Sequence, residues 1–414
     1  MWHTICQYEA APGCGGGEIV AGIEFRVARG DHLKVEDFVA TQPAGLAGVQ
    51  LEVTNLDRHV DLAVATAAAG YDVVIEPMTE RLCHAGFNPT RLPFGDLYPL
   101  DVATLASSAG DRAMVTEQVL ASQLPHATKI IPPHFFVESD EQLALNVALL
   151  RQAVAAIGAD RDVRPILAIS SAFFQRPGVA MAIADHYQAA GVGMLELRVS
   201  PIGGQDEGPL KVRRTFLALR QLSASGLDVL LGCSGIVGHA AVALGVASSF
   251  SVGVGYREKY DHKSAIASQL AISESDDGED EEDAPAGPRG ALAGVFVEAA
   301  QITVPRALAR GFYANPLVRP QLRCTHPSCA KSIDGPVVDP RGHYLHSQTA
   351  GLASTLDRPT AWRPTLLKDR LVRAQEVRNQ IWAQLPDDVP RPKARTLTSL
   401  IDEIDRGIGD ALSA

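Results

Sequence analysis

The stretch 194–256 constrains the fold of this chain more than any other. It reads MLELRVSPIGG, a helix-like run, then DVLLGCSGIVGHAAVALGVASSFSVGVGY. Three short apolar runs (194–199, 229–231, 250–254) alternate with two runs of helical pattern (211–222, 239–244). Short runs rich in Val and Leu, spaced by helical pattern, mark βαβ units and a parallel sheet. Each apolar run leads at once into a glycine-containing loop: SPIGGQ, GCSGIVG and GVGYRE. In a parallel α/β protein such loops sit at the C-terminal ends of strands, where ligands bind.

The same alternation extends upstream. VVIEP (73–77), KIIPPHFF (129–136) and RPILAIS (164–170) are strand candidates. Around them, 56–69 (with Gly70 as stop), 116–124, 140–157 and 177–190 carry helical pattern. The run DEQLALNVALLRQAVAAI, with Asp140 as expected N-cap and Gly158 as stop, is the clearest helix. GVQLEV (48–53) supplies a seventh strand, and ALAGVFVE (291–298) is taken as the eighth. Eight alternating units predict a closed (β/α)₈ barrel; six would have fitted an open doubly wound sheet. The expected division is an N-terminal segment 1–47, a barrel 48–310 and a C-terminal extension 311–414.

Composition narrows the class. The chain has 414 residues, 46% of them hydrophobic, enough for a large core. No run approaches the ~18 apolar residues of a membrane span, and the first residues lack the basic-then-apolar order of a secretion signal. A cytoplasmic protein is expected, with no membrane partner. The net charge is −11, but ESDDGEDEED (274–283) holds eight of the acidic residues, so the remainder carries only −3. Residues 273–290 are too charged to bury and read as an unfolded insert. No global basic balance points to nucleic acid. Six cysteines in a chain this long are not a disulfide framework.

Two features carry candidate chemistry. In RCTHPSCAK, Cys324, His326 and Cys329 lie within six residues, and His343 and His346 follow in GHYLHSQ. Thiolate and imidazole at such spacing are zinc ligands. The expected set is Cys324, His326, Cys329 and His346, with His343 as the alternative fourth member. The other feature is the ring of polar residues just past strands. Glu76 and Glu196 are the proton-transfer candidates. Arg81, Arg198, Gln205, Ser234 and Arg257 are ligand contacts, and the arginines can grip an anion through paired hydrogen bonds. Gly235, Gly253 and Gly255 would offer backbone amides to a phosphate. The competing reading of Glu196 and Arg198, which share strand parity, is an ion pair that only fills the barrel.

These motifs together resemble the tRNA-guanine transglycosylases. RVSPIGGQDEG is similar to that family's base-recognition strand end, and the 230–257 stretch to its following strand–helix–strand. Cys324, His326 and Cys329 match the spacing of its C-x-C-x-x-C zinc loop, with His in place of the middle Cys. The long C-terminal helix with Arg370, Arg373 and Arg378 also resembles the family's tail. The resemblance implies a (β/α)₈ barrel, a structural zinc and base exchange on a nucleobase or nucleotide-type ligand, in nucleic acid. The family's nucleophilic Asp would fall at or near Ser251, and no Asp stands in FSVGVGYR. A flavin- or phosphate-binding barrel enzyme and a catalytically silent binding barrel are the alternatives. The sequence leaves a homo-oligomer open.

Overall fold

The computed structural model describes residues 21–158, 161–255, 258–275, 294–386, 391 and 393–413. Parallel strands run in the order β5 (Asp162–Val163), β4 (Lys129–Ile130), β3 (Asp72–Glu76), β2 (Leu46–Glu52), β1 (Ile23–Val27), β10 (Ser249–Gly253), β9 (Asp228–Leu231), β7 (Met194–Ser200), β6 (Ile166–Ser170). The two ends of this order are one stave. β5 pairs with β4 and β6 with β7, and only Arg164 and Pro165 separate them. Pro165 has no N–H to give the ladder, so the stave changes partner there. Its carbonyl still accepts from the Glu196 amide at 2.9 Å. A parallel bridge between Val137 and Ile169 ties the exit of β4 to β6. The sheet therefore closes, and the described residues form an eight-staved (β/α)₈ barrel followed by a helical extension.

Two expectations are corrected. The first stave is Ile23–Val27, inside the segment expected to precede the barrel. It pairs with both β2 and β10 and closes the ring. The run expected as the eighth strand is instead β12 (Val295–Val297), which forms an antiparallel hairpin with β13 (Ile302–Val304). Both segments alternate or run apolar, so pattern alone does not rank them; the partner decides. The small antiparallel pair β8 (Ile202–Gly203) and β11 (Lys259–Tyr260) crosses the mouth. The helix His262–Ser275 takes in the first three residues of the segment expected to be an unfolded insert, and residues 276–293, with the rest of the acidic run, lie outside the described residues.

The clearest sequence helix is present as Asp140–Ile157, but its N-cap is Ser139, which accepts from the Gln142 amide while the Gln142 side chain accepts from the Ser139 amide. In β1, Ile23, Phe25 and Val27 face the helical layer and join the main core, which leaves Glu24 and Arg26 pointing into the barrel. The extension packs back on this body through the helices Pro340–Leu356, Arg363–Ala383 and Arg395–Ser413, the last against Pro209–Ala224. A second apolar cluster, built on the β12–β13 hairpin, Phe312, Tyr313, Ile381 and Trp382, lies under the Cys/His segment. Arg378 clamps the two parts. Buried at 1% exposure, it donates to the Ala300 and Gln301 carbonyls at 2.6 Å each and to Gln205 Oε1 at 2.9 Å. Among the described residues, no helix is long and apolar enough to cross a membrane.

Candidate functional site

The inside of the barrel is charged where such barrels are usually filled by branched aliphatics. Glu24, Glu76 and Glu196 meet Arg26, Arg164 and Arg198, so three carboxylates face three guanidiniums. Arg164 holds Glu24 through both terminal nitrogens. Gln50 Nε2 donates to Glu24 and Glu196 at 2.9 and 2.8 Å. Arg198 Nε donates to Glu196 at 2.7 Å, and its Nη1 reaches Glu76. Arg26 donates to Glu76 at 2.6 Å and to the Cys233 sulfur at 3.1 Å. Burial would raise the Glu76 carboxyl, but Arg198 and Arg26 overcome it and hold it well below the usual carboxylate range.

This network explains part of the glycine-rich loop. A Cβ on Gly232 would stand 2.6 Å from Arg198 Cγ and 2.8 Å from Glu196 Oε1, so the glycine leaves room for the ion pairs. At Gly238 a Cβ would meet Ser234 Oγ at 2.2 Å and Phe250 Cβ at 2.6 Å, because the helix Gly235–Ala243 lies directly on β10. Ser234 is fully buried and donates to the Leu231 carbonyl. The start of that helix is covered: Glu258, held by Thr303 and Tyr344, packs where a side chain on Gly235 would go. The Glu258 side chain thus fills space that the phosphate reading needs open at the helix start.

Of the sequence-selected residues, Glu76, Glu196 and Arg198 come together, in the ion network. Glu196 has 0% exposure and Arg198 1%. Arg81 is half-buried in the turn Thr79–Cys83, near enough for its charge to act on His262. Gln205 is engaged by Arg378, under the extension. Gly253 pairs with Arg26 in β10, and Gly255 follows with φ 72°. Arg257 lies outside the described residues. Ser251, at the place of the family's nucleophile, accepts from the Cys233 amide at 3.1 Å and is fully buried.

The mouth holds a cavity of about 430 Å³, lined by Glu80, Cys83, His84, Phe135, Phe136 and Glu138 on one side and by His262 and its helix on the other. Phe136 and His262 stack with ring centroids 3.9 Å apart. The His262 amide donates to Ser200 Oγ at 2.9 Å, which ties this wall to the end of β7. Burial lowers both His84 and His262, which favours the neutral imidazole in each. Burial, with Glu80 and Asp101, pushes the Cys83 thiol up to about 12, so it is no thiolate nucleophile. Behind the cavity, Thr79 Oγ1 donates to the His134 carbonyl at 2.7 Å and accepts from its amide. Met78 (φ 58°) and Cys233 (φ 52°) hold left-handed backbone at strand ends here, strain of the kind that gathers at functional sites. Position just past a strand points to Glu76 but does not reveal Glu80, Phe136 and His262 as one site, because a turn and a second loop bring them in.

In the extension, Cys324, Cys329, His343 and His346 are buried with their ligand atoms within 4.8 Å of one another. His346 Nε2 is 3.1 Å and His343 Nδ1 3.6 Å from the Cys329 sulfur. His343 Nε2 lies 2.9 Å from the Phe296 carbonyl, which fixes the tautomer that leaves Nδ1 free for a cation. Hydrogen bonds from Cys329 and both histidines pull the Cys324 thiol down, while Cys329 rises as it gives up that bond. The four donors fit a tetrahedral thiolate–imidazole metal site. The expectation for His326 is corrected. It is exposed, stacks on His346 at 3.9 Å and bonds Ser328, outside the quartet; His343 takes its place. Adjacent spacing favours His326 in the sequence, but the following helix delivers His343 and His346 from one face instead.

No family model matches the chain. No curated protein matches it in sequence. In a comparison of structures it is similar to an apo-form protein from Toxoplasma gondii assigned as a deoxyribose-phosphate aldolase, at 13% identity and TM-score 0.34, over 62% of this chain and 95% of that one. It is also similar to a native KDPGal structure (11%, TM-score 0.31, 63% and 96%) and to a GH10 xylanase from a Bispora species with xylobiose (9%, TM-score 0.35, 56% and 84%). The barrel itself rests on its own strand order.

Proposed function

We propose that this chain is a transglycosylase-like barrel protein that binds a nucleobase-type ligand at the C-terminal mouth and acts on it there, with a structural zinc ion in the Cys/His quartet. The observation that carries the reading is the mouth cavity. Its volume is in the range of small-molecule sites, and it joins an aromatic wall to carboxylates. Half-buried Phe136, backed by His262, offers a flat face for a base. Glu80 and Glu138 can accept paired N–H groups from a purine edge, as carboxylates do from other flat donors. His84 and His262, favoured in the neutral form, can take a proton from the bound ligand. Glu76 is pinned as a fixed negative charge below the cavity and Glu196 is sealed in the barrel, so neither serves as a proton donor. The zinc, held by Cys324, Cys329, His343 and His346, would supply folding energy to the extension rather than chemistry at the mouth. The phosphate-grip alternative is disfavoured by Glu258 over the start of the helix Gly235–Ala243.

Calorimetry with free guanine and adenine tests binding, and retention of labelled guanine in unfractionated tRNA tests base exchange. Base–aromatic stacking is worth roughly 1–3 kcal/mol, so Phe136→Ala should weaken base binding about 5- to 150-fold. Wild-type protein that binds neither base at millimolar concentration would refute the proposal. Binding without label retention would leave the silent-barrel reading in its place.

A further inference from the structure

Next to the mouth cavity, Glu80 and His134 face each other in a way that ordinary hydrogen bonding does not explain. His134 is 2% exposed. Its Nδ1 lies 3.3 Å from the Pro132 carbonyl, an interaction that only a protonated Nδ1 can make. In the neutral ring that tautomer turns the Nε2 lone pair toward Glu80 Oε2, 3.7 Å away, and in the charged ring it leaves an ion pair too far apart to hydrogen-bond. Both atoms are buried and neither has a hydrogen-bond partner. Two electron-rich atoms facing each other out of water repel, and a third body with positive charge resolves the conflict.

A shared proton fits poorly, because an O–H···N or N–H···O bond closes to about 2.7–3.0 Å. A water bonded to both atoms at about 2.8 Å would need an angle of roughly 80°, too narrow for its two hydrogens. A metal ion fits. Imidazole nitrogen and carboxylate oxygen sit about 2.0–2.2 Å from such an ion, which places them about 2.8–3.6 Å from each other at octahedral to tetrahedral angles, so the 3.7 Å pair has only about 0.1 Å to close at the tetrahedral limit. Glu76 completes the set, since one oxygen each of Glu76 and Glu80 and one ring nitrogen of His134 lie within 4.8 Å of one another. The oxygens of Glu76 that accept from Arg198 and Arg26 each keep a second lone pair.

We infer that Glu76, Glu80 and His134 form a second metal site, for a divalent transition ion, at the barrel mouth. Mixed imidazole and carboxylate ligands suit zinc, iron or manganese rather than calcium. Three protein ligands leave open positions, as in catalytic rather than structural sites, and Glu80 also lines the cavity. The two hydrogen bonds of Thr79 to the His134 backbone lock the loop that carries Glu80 to the one that carries His134. The inference shares Glu80 with the nucleobase reading, but its test contains no base, so the two can fail separately.

The test is a titration of the chelator-stripped full chain with cobalt(II) alone, followed by absorption and elemental analysis. Thiolate ligands give an intense near-ultraviolet charge-transfer band, and a nitrogen–oxygen site gives none. Wild-type protein should take up two equivalents, one with that band and one without. Glu80→Gln and His134→Gln should each lose the second equivalent and keep the first. Uptake of a single, thiolate-type equivalent by wild type would overturn the inference, as would two equivalents in either folded variant. If His134→Gln fails to fold by circular dichroism, Glu80→Gln decides alone, since the Oε2 it alters makes no hydrogen bond to lose.

Discussion

Replacing Glu196 by Gln should destabilise the barrel far more than the loss of one atom's charge suggests. Glu196 Oε1 accepts from Arg198 Nε at 2.7 Å, and Oε2 accepts from Gln50 at 2.8 Å and faces Arg164 at 3.6 Å. A glutamine keeps the shape, but its NH₂ must point at one of these donors. It also leaves three guanidiniums against two carboxylates in a space with no access to water. Breaking a buried pair on one side costs about 3–5 kcal/mol. A neutral deletion is the control. Glu24→Leu with Arg164→Met removes one charge of each sign, and such exchanges are often neutral or even stabilising. Urea denaturation followed by circular dichroism measures both, with the slope of each transition checked against wild type. The single charge change should cost several kcal/mol more than the double replacement, and the surviving folded fraction should still bind base. Equal costs, or a loss under about 1 kcal/mol for Glu196→Gln with base binding abolished, would refute the structural reading and return Glu196 to the site.

The remaining predictions concern the extension and the response to acid. Cys324→Ser should lose the structural metal by elemental analysis and lower the melting temperature of the extension, whereas His326→Ala should keep the metal, because His326 is outside the quartet. His239 is buried against Thr355 and Phe250, and burial with nearby Arg370 lowers it from 6.5 to about 3. The unfolded chain therefore takes up a proton below pH 6.5 that the folded chain refuses until about pH 3. Stability should be intact above pH 6.5 and fall by about 1.4 kcal/mol per pH unit as pH drops through that window; His239→Gln should flatten the slope in pH-dependent urea titrations. Arg378→Met strips the Ala300 and Gln301 carbonyls of a charged donor, at a cost of about 1.5–3 kcal/mol for each bond, and should speed amide exchange in the hairpin formed by β12 and β13.

How much of this was legible in the sequence follows from what each element depends on. Period and turn chemistry are local, so the alternation of units, the helix Asp140–Ile157 and the staves at Asp72–Glu76, Met194–Ser200 and Ser249–Gly253 could be read directly. Closure is not local. Whether Ile23–Val27 or Val295–Val297 completes the ring depends on which finds two parallel neighbours, and both runs have the same local character. The shared parity of Glu196 and Arg198 correctly put both inside the barrel, and the competing reading of them as a filling ion pair is the one the surrounding hydrogen bonds favour. What parity could not give was their partners: Glu24, Arg26, Gln50 and Arg164 come from staves far apart in sequence. The same limit governs the sites. A tight cysteine loop announced metal chemistry, yet the choice of His343 over His326 depended on the face of a helix that begins eleven residues after Cys329. Glu80 and His134 were hidden for the opposite reason, since each alone is an ordinary polar residue after a strand. Only their approach across two loops, with both facing atoms buried and unpartnered, makes them chemically demanding.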